Sequence, residues 1–481
     1  MSHVKLVLTS LGLQLGALMF ALNAASTQAL AAPTPVPADA PLIVNIDNPS
    51  FRKLVVAVPD FPGPAAAPDS ELSKWGSEGA AELVRLLTFS GLFNPMAAAG
   101  YQEIIQKGRA GTAGAQALEG VDMAAWKTVG VESLTVGDLV REGPSLTITL
   151  RTIDIRQGKL MVGKKYSKVP PAELKLVMAK YADHILKAYT GKPGIFSSKL
   201  LFVGKQTATS SKQIYLSDFD GANAVAITSA QVPHISPNFS HDGRFVSYTS
   251  FEDGNPDLFV YEIATGKKRK LSGRKGLNSG SAWAANNKVV AFTGSVEGDA
   301  DIYYIKADGT QSRPLIRGPG LDVDSAFSPD GKWLAFVSGR FGNPHIFRAE
   351  LKWTSDTEVR VVSDKRLTYA GWWNASPAWS PASDKIAFAG FDRDIDRFDL
   401  FMMNPDGTGL ERLTIRSGDN EHPSWSPNGQ MLLFESSRTP SRGDIKGVRH
   451  LYVMNRDGSA QRPLNTGLFH TESPIWGPAV E

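Results

Sequence analysis

The sequence predicts two domains in series: a small α/β domain, then an all-β six-bladed propeller closed by its C-terminal strand. Three observations carry that prediction. One strand-rich unit recurs from Lys199 onward. The turns inside it carry the Asp-Gly and Asn-Gly pairs that tight hairpins need. The first copy also lacks a strand that appears alone at the far end of the chain.

Composition sets the frame. The 481 residues are 42% hydrophobic and 21% charged, as in an ordinary globular protein of two or three domains. The 45 glycines and 30 prolines favour a turn-rich β architecture over helix bundles. A net charge of only +3 argues against a nucleic-acid binder, whose phosphate contacts need a strongly basic surface. With no cysteine there are no disulfides, thiolate nucleophiles or Cys-ligated metals.

At the N-terminus, Lys5 supplies positive charge, Leu6 to Leu22 is largely apolar, and Ala29-Leu30-Ala31 has an A-x-A cleavage pattern. Residues 1–31 therefore read as a signal peptide, and the mature protein is expected outside the cytoplasm. The apolar run is short for a span of ~20 residues and is interrupted by Thr9, Ser10 and Gln14, which argues against an uncleaved anchor. Residues 32–41 form a stiff Pro-rich arm.

Residues 42–192 read as the α/β domain. Strands are expected at 42–47 and 53–61, and a helix over 71–91 with Trp75, Leu83, Leu86 and Leu87 as apolar members. Segments 133–140, 145–155 and 159–167 read as an antiparallel meander, with a bulge where alternation slips between Leu150 and Ile153. An amphipathic helix follows over 170–190. Leu174, Val177, Met178, Tyr181, Ile185 and Tyr189 form its stripe and Gly191 ends it. The link over 192–198 is so short that the two domains should touch.

Residues 193–481 read as the propeller. Its markers are Phe239, Trp283, Phe327, Trp379, Trp425 and Trp476, each preceded by small or polar residues, often Ser-Pro. Their spacings of 44, 44, 52, 46 and 51 residues approach the ~40–45 of propeller blades. Three further strands follow each marker, except the last. The unit beginning at Lys199 has no marker strand, so Ser473 to Pro478 should complete it and close the ring. Closure removes free sheet edges. The segment WAANNK (283–288) lacks the usual turn, and a local change of hairpin is expected there.

Specific catalytic signatures are missing: there is no G-x-S-x-G, H-E-x-x-H, P-loop or EF-hand loop, and no cofactor is expected. The acidic loops at 251–257, 296–301 and 391–396 occupy one blade position and read as solvent-facing loops. His234, His422 and His470 precede blade aromatics by 5, 3 and 6 residues, so they should sit at different levels and not converge on a metal. A metal-dependent propeller hydrolase or lactonase is the alternative reading. A glycan-binding module is a third, whose signature would be aromatics exposed on one face.

Two segments are more specific than the repeat. YTGKPGIFSSKLLFVG (189–204) and LTFSGLFNPM (87–96) resemble the domain junction and the S-G-x-F helix end of the TolB family, periplasmic propeller proteins of the Tol–Pal system. Tyr189 stands where that family has Leu, and the arm is longer and more Pro-rich than the family's usual start. The resemblance implies a non-enzymatic, monomeric, periplasmic scaffold serving outer-membrane integrity and cell division. It implies binding of the lipoprotein Pal at the mouth of the propeller channel, and contact with the inner-membrane protein TolA through the arm or the α/β domain. By position, the Pal-facing residues would be His234, Ser236, Ser279, Gly280, Asp322, Asp324, Asn374, Ser376, Glu421, His422, Glu472 and Ser473.

Overall fold

The computed structural model describes residues 52–62, 70–107, 120–295, 298–394, 396–415, 417–438 and 447–479. The expected signal peptide, Pro-rich arm and strand at 42–47 lie outside them.

The first domain is a five-stranded sheet. Its elements are β1 (Leu54–Ala57), α1 (Ser70–Phe89), β2 (Phe93–Pro95), α2 (Gln102–Gln106), α3 (Met123–Thr128), β3 (Ser133–Glu142), β4 (Ser145–Asp154), β5 (Lys159–Val169) and α4 (Leu174–Thr190). The sheet order is β2-β1-β3-β4-β5. β1 runs parallel to both neighbours, and β3, β4 and β5 form the expected antiparallel meander. The β4–β5 register slips between Thr152 and Ile153, inside the stretch where alternation breaks, and again between Leu146 and Ile148, where nothing in the sequence marked it.

α1 and α4 pack on this sheet. Leu83, Leu86 and Leu87 of α1 share a core with Leu146, Ile148 and Leu150 of β4 and with all six residues of the α4 stripe. Tyr181 is fully buried, which is tolerable because its hydroxyl meets Thr152 Oγ1 at 2.9 Å. Gly191 caps α4 at φ 70°, the left-handed conformation that glycine enters without a Cβ clash.

The rest of the chain forms six four-stranded antiparallel sheets. Five are continuous in sequence. In the sixth, the strand His470–Trp476 pairs antiparallel with Lys199–Lys205, so the last strand completes the first blade. The blade aromatics seal neighbouring sheets: Trp283 packs on Leu258 and Val260 of the blade before it, and Trp425 on Ala387 and Leu400. Their indole N–H groups cross the same joints, from Trp379 to the Ala326 carbonyl at 3.1 Å and from Trp425 to that of Ala378 at 3.0 Å. The WAANNK hairpin departs from expectation by keeping the common form. Asn287 adopts φ 58° where Gly243, Gly331 and Gly429 adopt 69°, 73° and 68°, and its N–H reaches the Ala284 carbonyl as that of Gly243 reaches Ser240. Asparagine is one of the few side chains that enters this region readily.

The two domains meet at one end of the propeller. Arg85 pairs with Asp220 at 2.5 Å, Phe89 sits edge-on to Phe219, and Arg462 donates to the Phe89 carbonyl at 2.8 Å. Strand directions place those turns at the end where the innermost strands finish. The end where they start faces away from the α/β domain. The link is clamped to α4. Asp183 accepts from the N–H groups of Phe196 and Ser197 at 2.8 and 2.9 Å and from Ser197 Oγ. Burial nevertheless pushes its carboxyl above the usual aspartate range, with those three hydrogen bonds opposing the shift.

Candidate functional site: a strained ring in the propeller channel

Six innermost strands line the propeller axis: His234–Phe239, Asn278–Trp283, Asp322–Phe327, Trp373–Trp379, Asn420–Trp425 and His470–Trp476. Each slips register against its neighbour at the same place, for example between Val323 and Ala326 or between Glu472 and Ile475. The slip is a bulge. In four strands it falls at X-Pro, and a bulge is where a strand tolerates a residue with no N–H to give its ladder.

At each bulge one residue is left-handed. The φ angles are 52° at Ser236, 59° at Gly280, 51° at Asp324, 52° at Ser376, 50° at His422 and 48° at Ser473. Five of the six carry a Cβ, and each such residue costs about 1–2 kcal/mol against an ordinary strand conformation. Strain of this kind, repeated at one level of a channel, marks a surface shaped for something other than stability.

All six residues line a single cavity of about 660 Å³ along the axis. The prolines of the X-Pro bulges and the six blade aromatics complete the wall, and Pro193 of the link reaches it. Its titratable lining side chains are His241, Asp324 and His422. Burial pushes the His241 imidazole below its usual range, with a contact to the Trp283 carbonyl opposing, so the ring is neutral at pH 7.

His422 behaves oppositely. Although the channel wall surrounds it, its side chain is 42% exposed, and that exposure faces the lumen. Burial alone would push the ring down, but the Glu435 carboxylate, 3.3 Å from Nδ1, together with Glu421 and Asp324, outweighs it and raises the pKa to about 9. Glu435 is buried, which alone would raise its carboxyl. His422, Arg449 and the Ser473 N–H hold it instead at about 2. Arg449 also reaches Glu421 at 2.6 Å.

The twelve residues singled out in the sequence divide evenly. Ser236, Gly280, Asp324, Ser376, His422 and Ser473 line the cavity. The other six do not. His234 is fully buried against Tyr248 and contacts Glu252 at 3.2 Å. Asp322 is buried and held by Arg340 at 3.2 Å, and Asn374 is buried with its amide on the Ala370 carbonyl at 3.0 Å. Ser279 is buried and donates to Ser236 Oγ, while Glu421 and Glu472 are occupied by Arg449 and by His470 and Lys212. These side chains tie down the loops at the strand starts, because the left-handed bulge turns only the residue at its centre into the lumen. The three histidines do not converge, and no group of three metal-ligating side chains stands together among the described residues.

Glu435 and Arg449 were not foreseen. The available signal was in the repeat: Thr249, Thr293, Val337 and Ala389 hold the equivalent strand position, so a glutamate there is out of pattern. Also missed were Tyr369, Trp372 and Trp373, which are 73%, 40% and 44% exposed at the strand-start end, beside the channel mouth.

Fold and site together define a two-domain propeller protein whose distinctive surface is a strained channel. The model of the TolB beta propeller domain matches residues 186–480, and that of the TolB amino-terminal domain matches residues 42–161. The chain belongs to the TolB family. It is 34% identical over 240 residues to the Tol-Pal system protein TolB of Desulfosudis oleivorans, covering 50% of this chain and 52% of that one. To the protein of the same description from Syntrophus aciditrophicus it is 32% identical over 231 residues, covering 47% and 49%. The matched part thus spans about half the length of these relatives. The crystal structure of TolB from Acinetobacter baumannii superposes with a TM-score of 0.72 at 23% identity, covering 89% of this chain and 97% of that one, and shares the fold.

Proposed function

We propose that this protein is a non-enzymatic periplasmic scaffold of the Tol–Pal system and that a Pal-like lipoprotein docks at the channel mouth, over the ring at 236, 280, 324, 376, 422 and 473. The observation that carries the reading is the ring itself: six left-handed backbones, five of them strained, converge on one cavity along the propeller axis. Backbone strain concentrated on a concave surface that mixes apolar walls with a few polar groups fits partner recognition. The exposed Tyr369, Trp372 and Trp373 flank that mouth, and Trp and Tyr are the side chains that dominate binding energy at protein interfaces. A TolA-like protein would engage the α/β domain or the arm, leaving the channel mouth free.

The test is capture of the soluble domain of the same organism's Pal-like lipoprotein by immobilised protein. Ser236→Trp places a bulky ring in the mouth and should abolish capture while leaving the melting transition in place. Unchanged capture by a folded Ser236→Trp variant would remove the channel mouth as the docking site.

A further inference from the structure

The lumen carries one carboxylate with no direct partner. Among its titratable lining residues His241 is neutral, and the charge of His422 is matched by Glu435, just as Glu421 and Arg449 match each other. Asp324 has no direct partner: among the described residues, no hydrogen bond or ion pair engages its carboxylate, and its charge acts on His422 across the lumen without contact. It stands on a strained backbone at φ 51°, which aims a side chain off the sheet and into the channel. The neighbouring ring position is Gly280. A Cβ built there would lie 3.5 Å from Thr293 Oγ1 and 4.0 Å from Asp324 Oδ1, so the missing side chain keeps the approach to the carboxylate open. Ser376 and Ser473 present hydroxyl oxygens at the same level of the ring, and Ser236 does so while accepting from Ser279.

We infer that the lumen is a receptor for one cationic side chain, a lysine or arginine carried by an extended segment of the partner, seated on the Asp324 carboxylate and ringed by the serine hydroxyls. The inference rests on the docking reading above and adds the chemistry that the partner must present. An ammonium has three donors and no acceptor, which suits one carboxylate and a ring of hydroxyl oxygens. The wall's apolar aromatics reduce solvent around the pair, where a charge-assisted hydrogen bond is about twice as strong as a neutral one. A single carboxylate is a poor metal site, since hard cations such as calcium take 6–8 oxygen ligands at once. A cationic side chain asks for less.

Trp283, Trp379, Trp425 and Trp476 line the cavity, so tryptophan emission reports its occupancy. The probe is the capped peptide acetyl-Gly-Ser-Lys-Ser-Gly-amide, whose only charge is the lysine, with a glutamate-centred counterpart as control. Saturable change with the lysine peptide is expected, with at least tenfold weaker binding of the glutamate peptide and at least tenfold weaker lysine-peptide binding by Asp324→Asn. Asp324→Asn keeps side-chain size and breaks no hydrogen bond or ion pair, so it should fold as the parent does. Equal binding of the two peptides, or full lysine-peptide binding by Asp324→Asn, overturns the inference. Capture of the lipoprotein domain separates this from failure of the docking reading. Should Ser236→Trp abolish capture while Asp324→Asn leaves both readouts intact, the inference falls and docking stands. Should Ser236→Trp capture normally, docking falls, whatever the peptides do.

Discussion

Replacing Glu435 with glutamine tests the energetics of the ring where it closes. Glu435 lies in the last continuous blade, and its carboxylate engages His422 and Arg449 of that blade and the Ser473 N–H of the closing strand. Its pKa is lowered from 4.5 to about 2, and each unit is worth 1.36 kcal/mol, so ionisation adds about 3 kcal/mol of stability at neutral pH. Breaking a buried pair on one side costs a similar 3–5 kcal/mol. Glu435→Gln should therefore lower stability at pH 7 by about 3 kcal/mol, roughly 5–10 °C in melting temperature for a domain of this size. Because the folded pKa is depressed, the contribution is complete above pH 4.5 and is lost as pH falls toward 2. His422 works in the other direction. Its folded pKa is raised from 6.5 to about 9, so its share is complete below 6.5 and is lost as pH rises through 9. Urea unfolding of parent and variant between pH 3 and 9 should give the widest gap between about pH 5 and 6.5, narrowing on both sides. A gap that does not vary with pH, or a variant as stable as the parent at pH 6, would refute the reasoning.

Two further substitutions probe the strain and the clamp. Ser376→Gly removes a left-handed Cβ penalty of about 1–2 kcal/mol and adds up to about 1 kcal/mol of unfolded-chain entropy, so urea unfolding should find it at least as stable as the parent. Ser376→Val, β-branched at the same φ of 52°, should lose about 2 kcal/mol or more; equal stability of the two variants would contradict a left-handed ring. Gly194→Ala places a Cβ 2.0 Å from Asp183 Oδ1, so it should cost about 1–3 kcal/mol and open the link at 192–198 to protease. In the Asp183→Gly background, which also removes the Asp183 Cβ lying 2.3 Å from that point, the same change should cost nothing more, and a persistent penalty there would move its cause away from the clamp.

What could be read in advance followed from periodicity. The six markers and the orphan segment at 473–478 predict six blades and the closure, and the pairing of His470–Trp476 with Lys199–Lys205 is that closure. The α4 stripe and the bulge before Ile153 were legible for the same reason: alternation and the 3.6-residue period are properties of consecutive residues. β2, only three residues long and parallel to β1, has too few residues to show a period. The channel was half legible. Position before each aromatic located the right strands, but residues such as Ser236 and His234 differ by a turn of the backbone that sequence does not display. A left-handed bulge sends Ser236 into the lumen and leaves His234 under the loop at Glu252. Asn287 shows the converse, since a missing glycine suggested an altered hairpin and asparagine supplied the same φ.

The closing seam connects these features. A ring made from one chain has a single joint that the chain does not span, and here the ladder between His470–Trp476 and Lys199–Lys205 holds it, with further bonds on both flanks. Glu435 takes the Ser473 N–H from one side. From the other, Trp476 donates to Ser198 Oγ at 2.8 Å, and the Gly477 N–H reaches the Lys199 carbonyl at 2.8 Å. Ser198 follows directly on Ser197, which Asp183 holds against α4. The closing strand thus carries a channel residue, Ser473, and is bonded three residues later to the segment that anchors the α/β domain. Of the six innermost strands it is the one that follows the chain's last continuous blade and also meets the interdomain link. An event on the α/β domain that shifts residues 194–198 has a two-bond route to the channel wall through Trp476, whereas the neighbouring blade meets the α/β domain through Arg462 on its outermost strand. Such coupling needs an element with two arrangements, and the closing strand, joined to Lys199–Lys205 by a ladder rather than by the chain, is the element of the ring that both the link and the channel wall touch.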